Sequence, residues 1–511
     1  MLKTSEMKER LAVDIEKICA RISSDTKLRN YYFTADLSRA PESAKRLSML
    51  NYDVITLICA EVSGKKDLLH LGLASKHWFL EPALNVLWKK IEDMEPLLSV
   101  LPETTLVNGN KMFSRPIAPS SWDRLRVYTS RVREFDDKSE FFSSQRPTVH
   151  DSVYAYLGKE KPIFPKLRTL HLNPRLCISN AFTIFLAASL QVVFWPRYGT
   201  TTSGLGPSSD LGPSLALLVS KSPGLKSMTL YGYTYSGMSL SVRRLLALES
   251  FEARDLSQLE MDLIQALALL PSLTTLSLTF PRGIVLDYTG VESGFPSLTD
   301  IELQGSTYDI RKFLAVARPQ ALEHLYIYFL PAPEHDEFLT SGEPAVDQPL
   351  DDVAADIAAI THLLSSFPFL RNLCIETGAF SSLLLLNFAE LRLWLLFKPL
   401  LELKKLEVLF YDIPLPLSDE NTVQIACAWP HLQDLSLSSS ADISALESLV
   451  FSSDEETASS TAYVMALGLY QIFPNLVEAR GPGDGWKQVQ KFLDSFQTAK
   501  SRMKAPVLIL L

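Results

Sequence analysis

Phe164-Pro165-Lys166-Leu167-Arg168-Thr169-Leu170-His171-Leu172 decides the reading of this chain. An aromatic residue and a proline precede an anchoring leucine, and two variable positions lead into an apolar–polar–apolar run. Proline presets a turn because its ring fixes one backbone angle. The alternation Leu170-His171-Leu172 has the two-residue period of a strand with one buried face. The same order returns at Ser222-Pro223-Gly224-Leu225, Leu270-Pro271-Ser272-Leu273, Phe295-Pro296-Ser297-Leu298 and Phe367-Pro368-Phe369-Leu370. It returns again at Trp429-Pro430-His431-Leu432 and Phe473-Pro474-Asn475-Leu476, and weaker copies with the proline missing or displaced lie at Leu248, Leu322 and Leu406.

Spacing turns the motif into an architecture. Leu225, Leu248, Leu273, Leu298 and Leu322 are 23, 25, 25 and 24 residues apart, and Leu370 follows 48 residues on, the place of one expanded unit. Helical patterns such as Asp262–Leu270 and Ile310–Ala317 fill the gaps. One strand plus one helix in about 20–29 residues is the period of leucine-rich repeats. Such a unit cannot bury its apolar side alone, so neighbours stack. The expected fold class is therefore α/β, with a leucine-rich-repeat solenoid over 164–511 made of a curved parallel sheet and outer helices. A compact doubly wound sheet is the alternative that this period disfavours.

Two stretches interrupt the repeats. Residues 331–352 are acidic and proline-rich and read as an inserted loop. Residues 438–461 form a serine-rich loop around Ser452-Ser453-Asp454-Glu455-Glu456, where phosphorylation would add charge. Gly481-Pro482-Gly483-Asp484-Gly485 sits between a strand and a helix, but the third glycine of the dinucleotide pattern and a following Lys-Ser/Thr are missing, so a turn between repeats is expected. Cys427 and His431 have a metal-like spacing, but Pro430 keeps them off one helix and no second ligand pair lies nearby in sequence. No metal, cofactor or catalytic site is expected, and the chain reads as a binding protein rather than an enzyme.

Recognition then falls to the polar residues that alternate with the strand leucines and point out of the sheet. These are Thr169, His171, Thr229, Tyr231, Thr275, Ser277, Asp300, Glu302, His324, Tyr326, Tyr328, Asn372, Glu376, Asp434 and Ser436. Asp300, Glu302, His324, Tyr326 and Tyr328 are the expected target-binding set, because protein interfaces enrich tyrosine.

Upstream of the repeats, residues 1–49 carry Met7, Leu11, Ile15, Ile18 and Ile22 on one helical stripe, followed by a polar connector. Residues 102–163 read as a linker that enters the first repeat. Within it Thr104–Ser121 is loop-like, and Arg124, Arg126, Arg131 and Arg133 read as a solvated helix face or strand edge rather than a basic patch. Between these segments lie residues 50–101. Their core Leu50–Trp88, LNYDVITLICAEVSGKKDLLHLGLASKHWFLEPALNVLW, divides into three short helices. Val54, Ile55, Ile58 and Val62 share one face, Ser63-Gly64 breaks the pattern, and Asp67 opens the next helix.

The order Leu50, Val54, Ile58, Val62, Asp67-Leu68-Leu69, Leu71, Leu73-Ala74-Ser75-Lys76-His77-Trp78 and Leu87-Trp88 resembles an F-box. Asn51 stands where that family usually has proline. Together with irregular repeats lacking an Asn or Cys ladder, the chain resembles the large F-box family of mushroom-forming (basidiomycete) fungi. The resemblance implies a substrate-recognition subunit of an SCF-type cullin–RING ubiquitin ligase. Its F-box would bind a Skp-type adaptor, and through it a cullin, with Leu50, Val54, Ile58, Val62, Leu68, Leu71 and Trp78 buried partly against the adaptor and partly internally. The repeats would hold a target protein. The competing reading, which Asn51 favours, is a leucine-rich-repeat scaffold that joins no ligase.

The net charge of −9 argues against nucleic-acid binding, which needs a basic surface. Five scattered cysteines make no disulfide framework. MLKTSEMKER lacks the apolar core of a signal peptide, and the longest apolar runs, Leu383–Phe388 and Leu391–Leu401, fall short of a membrane span. The expected location is cytoplasmic, nuclear or both.

Overall fold

The computed structural model describes residues 52–74, 78–137, 148–159, 162–173, 176, 181–195, 212–232, 237–254, 259–281, 294–330, 350–377, 390–413, 419–437, 478–480 and 485–504. The helix expected within 1–49, Leu50 and Asn51, the serine-rich loop 438–461 and residues 331–349 lie outside these. The fold is α/β, with parallel strands and intervening helices, in two compact units, Met1–Leu190 and Gln191–Leu511. No described helix is long and apolar enough to cross a membrane.

The first unit opens with three helices, α1 (Tyr52–Glu61), α2 (Lys65–Ala74) and α3 (Leu80–Leu87). Val54, Ile55, Ile58 and Cys59 from α1 meet Leu68 and Leu71 from α2, with Phe79 and Ala83, in one buried cluster. Gly72 allows α3 close to α2, since a Cβ there would lie 3.2 Å from the Ala83 methyl carbon. Strand β1 (Lys90–Ile91) and α4 (Glu95–Ser99) come next, with Pro96 in the first helical turn. Thr104–Ser121 is not a loop. It forms the antiparallel pair β2 (Thr104–Val107) and β3 (Asn110–Phe113) and the start of α5 (Pro119–Thr129). Asn108 and Gly109 turn the hairpin at φ +49° and +78°, the left-handed region that Asn-Gly tolerates.

Strands β4 (Glu134–Asp136) and β6 (Thr169–His171) pair in parallel with each other, and β1 pairs with β4. Between them, β5 (Thr148–Val149) joins β3, and α6 (Asp151–Leu157) comes after it. Parallel pairing therefore begins at Lys90, inside the segment assigned from sequence to the F-box, and not at residue 164.

The second unit runs β7 (Val192–Trp195), α7 (Gly212–Lys221), β8 (Ser227–Tyr231), α8 (Met238–Val242), β9 (Ser250–Arg254), α9 (Met261–Ala268) and β10 (Thr275–Thr279). It continues with β11 (Asp300–Gly305), α10 (Thr307–Ala317), β12 (His324–Phe329), α11 (Leu350–Leu364), β13 (Asn372–Glu376) and α12 (Glu390–Phe397). Then come β14 (Val408–Tyr411), α13 (Asp419–Ala428), β15 (Asp434–Leu437), β16 (Glu478–Arg480) and α14 (Gly485–Lys504). Each strand from β7 to β16 pairs in parallel with the next in sequence. Leu350, Asp351 and Asp352, expected in the inserted loop, belong to α11.

One hydrogen-bond arrangement repeats along both units. The amides of Glu249 and Ser250 donate to the Lys226 carbonyl, and those of Thr274 and Thr275 donate to the Glu249 carbonyl. Thr299 and Asp300 repeat it on Thr274, and Glu323 and His324 on Thr299. Each anchoring leucine among the described residues is buried, and the Leu225, Leu248, Leu298, Leu370, Leu406 and Leu432 amides donate to the carbonyl three residues back. Units without the proline have the same geometry, because the leucine and the shared carbonyl hold the turn. Arg133 and Arg168 in the first unit continue the pattern on the carbonyls of Lys89 and Arg133.

Candidate interaction surfaces

The three-helix module uses most of the residues expected to meet an adaptor for its own core. Val54, Ile58, Leu68 and Leu71 are 8%, 1%, 3% and 2% exposed. Val62 and Trp78 are partly buried against the same cluster. This is the internal share of the burial expected for them: a three-helix unit of this size closes a core only by turning one stripe of every helix inward. The apolar side chains left outside are Tyr52, Leu57, Leu69 and Leu73, with Leu69 45% and Leu73 52% exposed. Leu69 and Leu73 stand one turn apart on α2 and share a face. That i, i+4 pair was readable in the sequence and is the signal the helix pattern concealed.

Polar contacts tie the module to α5 and the residues at its C-terminal end. Asn85 Nδ2 donates to the Tyr52 hydroxyl at 3.0 Å, and the Arg131 guanidinium donates to Asn85 Oδ1. Arg131 also meets Glu81 at 2.7 Å. Arg133 donates to the carbonyls of Ser130 and Lys166. Arg131 and Arg133 are thus structural ties rather than part of a solvated face, and the Trp88 and Tyr128 rings pack 4.6 Å apart alongside them.

In the second unit the expected target-binding residues come together on one face. Register places Asp300 beside His324, Glu302 beside Tyr326, and Gln304 beside Tyr328. Ile301, Leu303, Leu325 and Ile327 point the other way and are buried. The alternation reflects the two-residue period of the strand. Tyr326, at 48%, and Glu302 are both exposed.

A polar cluster adjoins this set, and two of its members were absent from the expectation. Glu252 accepts a hydrogen bond from Thr229 Oγ1 at 3.0 Å, and Glu302 accepts one from Ser277 Oγ at 3.0 Å. Arg254 pairs with Glu252 and reaches Glu302 at 3.5 Å. Burial lowers the Arg254 pKa, but Glu252 and then Glu302 outweigh it, and the net direction is upward. The long acidic side chains lie over Thr229 and Ser277, which are 3% and 9% exposed although they occupy outward positions. Glu252 and Arg254 were missed because their unit, anchored at Leu248, lacks the proline. The alternation Ser250-Phe251-Glu252-Ala253-Arg254 was the available signal.

Further along the face, burial, Glu376 and Asp412 push the Cys374 thiol up to about 12. A thiol that holds its proton this firmly is a poor nucleophile. Among the described residues no group of three or more His, Cys, Asp or Glu is arranged to hold a metal ion. Cys427 and His431 are both exposed, and α13 ends at Ala428 between them. No protein-family model matches this sequence, and a search of curated proteins returns no match.

Proposed function

We propose that the chain is the substrate-recognition subunit of a cullin–RING ubiquitin ligase. The helical module binds a Skp-type adaptor, and the repeat units, read as an irregular leucine-rich-repeat solenoid, hold a target protein. The observation that carries this reading is the contrast on α2. Leu68 and Leu71 complete the module's core, while Leu69 and Leu73 stay exposed on the opposite side. Soluble proteins leave paired leucines outside mainly where another surface covers them. The polar rows on the sheet of the second unit support the other half of the reading.

In this role the chain forms and breaks no covalent bond. It raises the effective concentration of the target near the ubiquitin-carrying partner. Co-purification with a Skp-type adaptor tests the reading through Leu69→Asp/Leu73→Asp, a change at exposed positions that leaves the core intact. Retained adaptor binding by that variant contradicts it. A chain that binds no adaptor at all is a free-standing scaffold.

A further inference from the structure

We propose that the outward face of β11–β13 takes an extended lysine- or arginine-rich segment of the target, its cations meeting Glu302 and Glu376 and lying over Tyr326 and Tyr328. This names the partner chemistry of the target-holding face and rests on the proposed role of the repeats in holding a target.

Three observations carry it. First, the charge is one-sided. Among the described outward positions of β8–β13, Glu252, Asp300, Glu302 and Glu376 are acidic, and Arg254 is the one guanidinium or ammonium group. Arg254 is already paired with Glu252 and Glu302 at the β9 side, and His324, beside Asp300 in register, is the other basic side chain among these positions.

Second, the aromatic rings sit among those carboxylates. Tyr326 lies between Glu302 and Cys374 in register, and Tyr328 lies between Gln304 and Glu376. Neighbouring strands stand about 4.8 Å apart. Each tyrosine is therefore next to one carboxylate, which suits a cation that is attracted to the ring face and to the acid together. Third, Tyr326 is 48% exposed and so is open to a ligand. The arrangement disfavours other occupants. Phosphate groups are repelled by the carboxylates, and an apolar helix finds no apolar groove on these polar rows.

Fluorescence anisotropy of the full chain with a fluorescein-labelled peptide of alternating lysine and serine tests the inference, beside a glutamate–serine peptide. The lysine peptide binds, the glutamate peptide does not, and added salt weakens the complex. Glu302→Gln/Glu376→Gln lowers affinity roughly tenfold, the combined effect of two partly exposed ion pairs. Tyr326→Ala lowers it by about threefold. Glu92→Gln/Glu402→Gln makes the same change in net charge at exposed positions elsewhere and leaves affinity within about twofold. Equal affinity in the Glu302/Glu376 variant, or equal loss in the Glu92/Glu402 variant, overturns the proposal. Adaptor capture is read separately. Absence of peptide binding with adaptor binding intact in the wild-type chain counts against this face and not against the ligase reading.

Discussion

Arg254 on β9 and Glu302 on β11 meet at 3.5 Å across the intervening strand β10, although their own strands do not pair. Ser277, the β10 residue in register with Glu302 and with Glu252 on β9, donates its hydroxyl to the same Glu302 carboxylate. A single cation thus ties three repeat units together on the outward side. Both side chains of the ion pair are more than 40% exposed, so it contributes at most about 1 kcal/mol. Arg254→Gln is expected to shift the urea midpoint only slightly. It removes the cation that competes with an incoming lysine, so the same variant binds the lysine–serine peptide more tightly than wild type. Weaker peptide binding by Arg254→Gln contradicts this assignment.

The repeat architecture was legible in the sequence because the anchoring leucines and the alternating strand residues are hydrophobic signals of fixed period. Proline was a weaker guide. Val132 and Leu190 take the place of the anchoring leucine, each donating its amide to the carbonyl three residues back, but neither unit has the proline and neither was read as a repeat. The Asn108-Gly109 turn is also visible in the sequence as a hairpin signal. On the module the helices and the shared inward face of Val54, Ile55 and Ile58 were legible, but that Leu69 and Leu73 stay outside was not. In a short helix with leucines at 68, 69, 71 and 73, periodicity alone allows more than one choice of buried face. The turn of α3 against α2, made close by Gly72, settles it.

Close packing at two glycines gives a sharp stability test. A Cβ at Gly294 would lie 2.7 Å from the Ala268 carbonyl oxygen, which is backbone and cannot swing aside. A Cβ at Gly305 would lie 2.8 Å from the Phe280 Cβ. Gly294→Ala and Gly305→Ala are each expected to cost about 1–3 kcal/mol in urea unfolding. Wild-type stability in both variants would contradict the packing described here.

Tyr411 is buried beside Phe397, and its hydroxyl has no hydrogen-bond partner among the described residues. Burial pushes its pKa up. A buried hydroxyl without a partner costs about 1–3 kcal/mol. Tyr411→Phe removes only that group and keeps the ring, so the variant is expected to be as stable as wild type or more so. A drop in the thermal midpoint would mean that the hydroxyl is bonded.

Asp309 gives a pH dependence of defined sign. Ser306 caps α10, its hydroxyl accepting from the Asp309 amide at 3.2 Å and donating to the Asp309 carboxylate at 2.6 Å. Burial raises the Asp309 pKa above its ordinary 3.8, Ser306 opposes this, and Asp356 adds to it. The folded state then holds this proton at a pH where the unfolded chain has lost it. Its contribution to stability is greatest below 3.8 and falls as pH rises through the raised folded value. Asp309→Asn keeps an oxygen for the Ser306 hydroxyl and removes the titration. Its urea midpoint is expected to fall less with rising pH across that window than the wild-type midpoint does. Parallel profiles would contradict the assignment.

The central claim is tested most directly by co-expressing the full chain with a Skp-type adaptor and comparing three forms by affinity capture and circular dichroism. The wild type is expected to capture the adaptor. Leu69→Asp/Leu73→Asp keeps its helical spectrum and loses the adaptor. Leu68→Asp loses the folded module itself, because it places a carboxylate in a core where Leu68 is 3% exposed. Adaptor capture by the folded Leu69/Leu73 variant, or none by the wild type, contradicts the account.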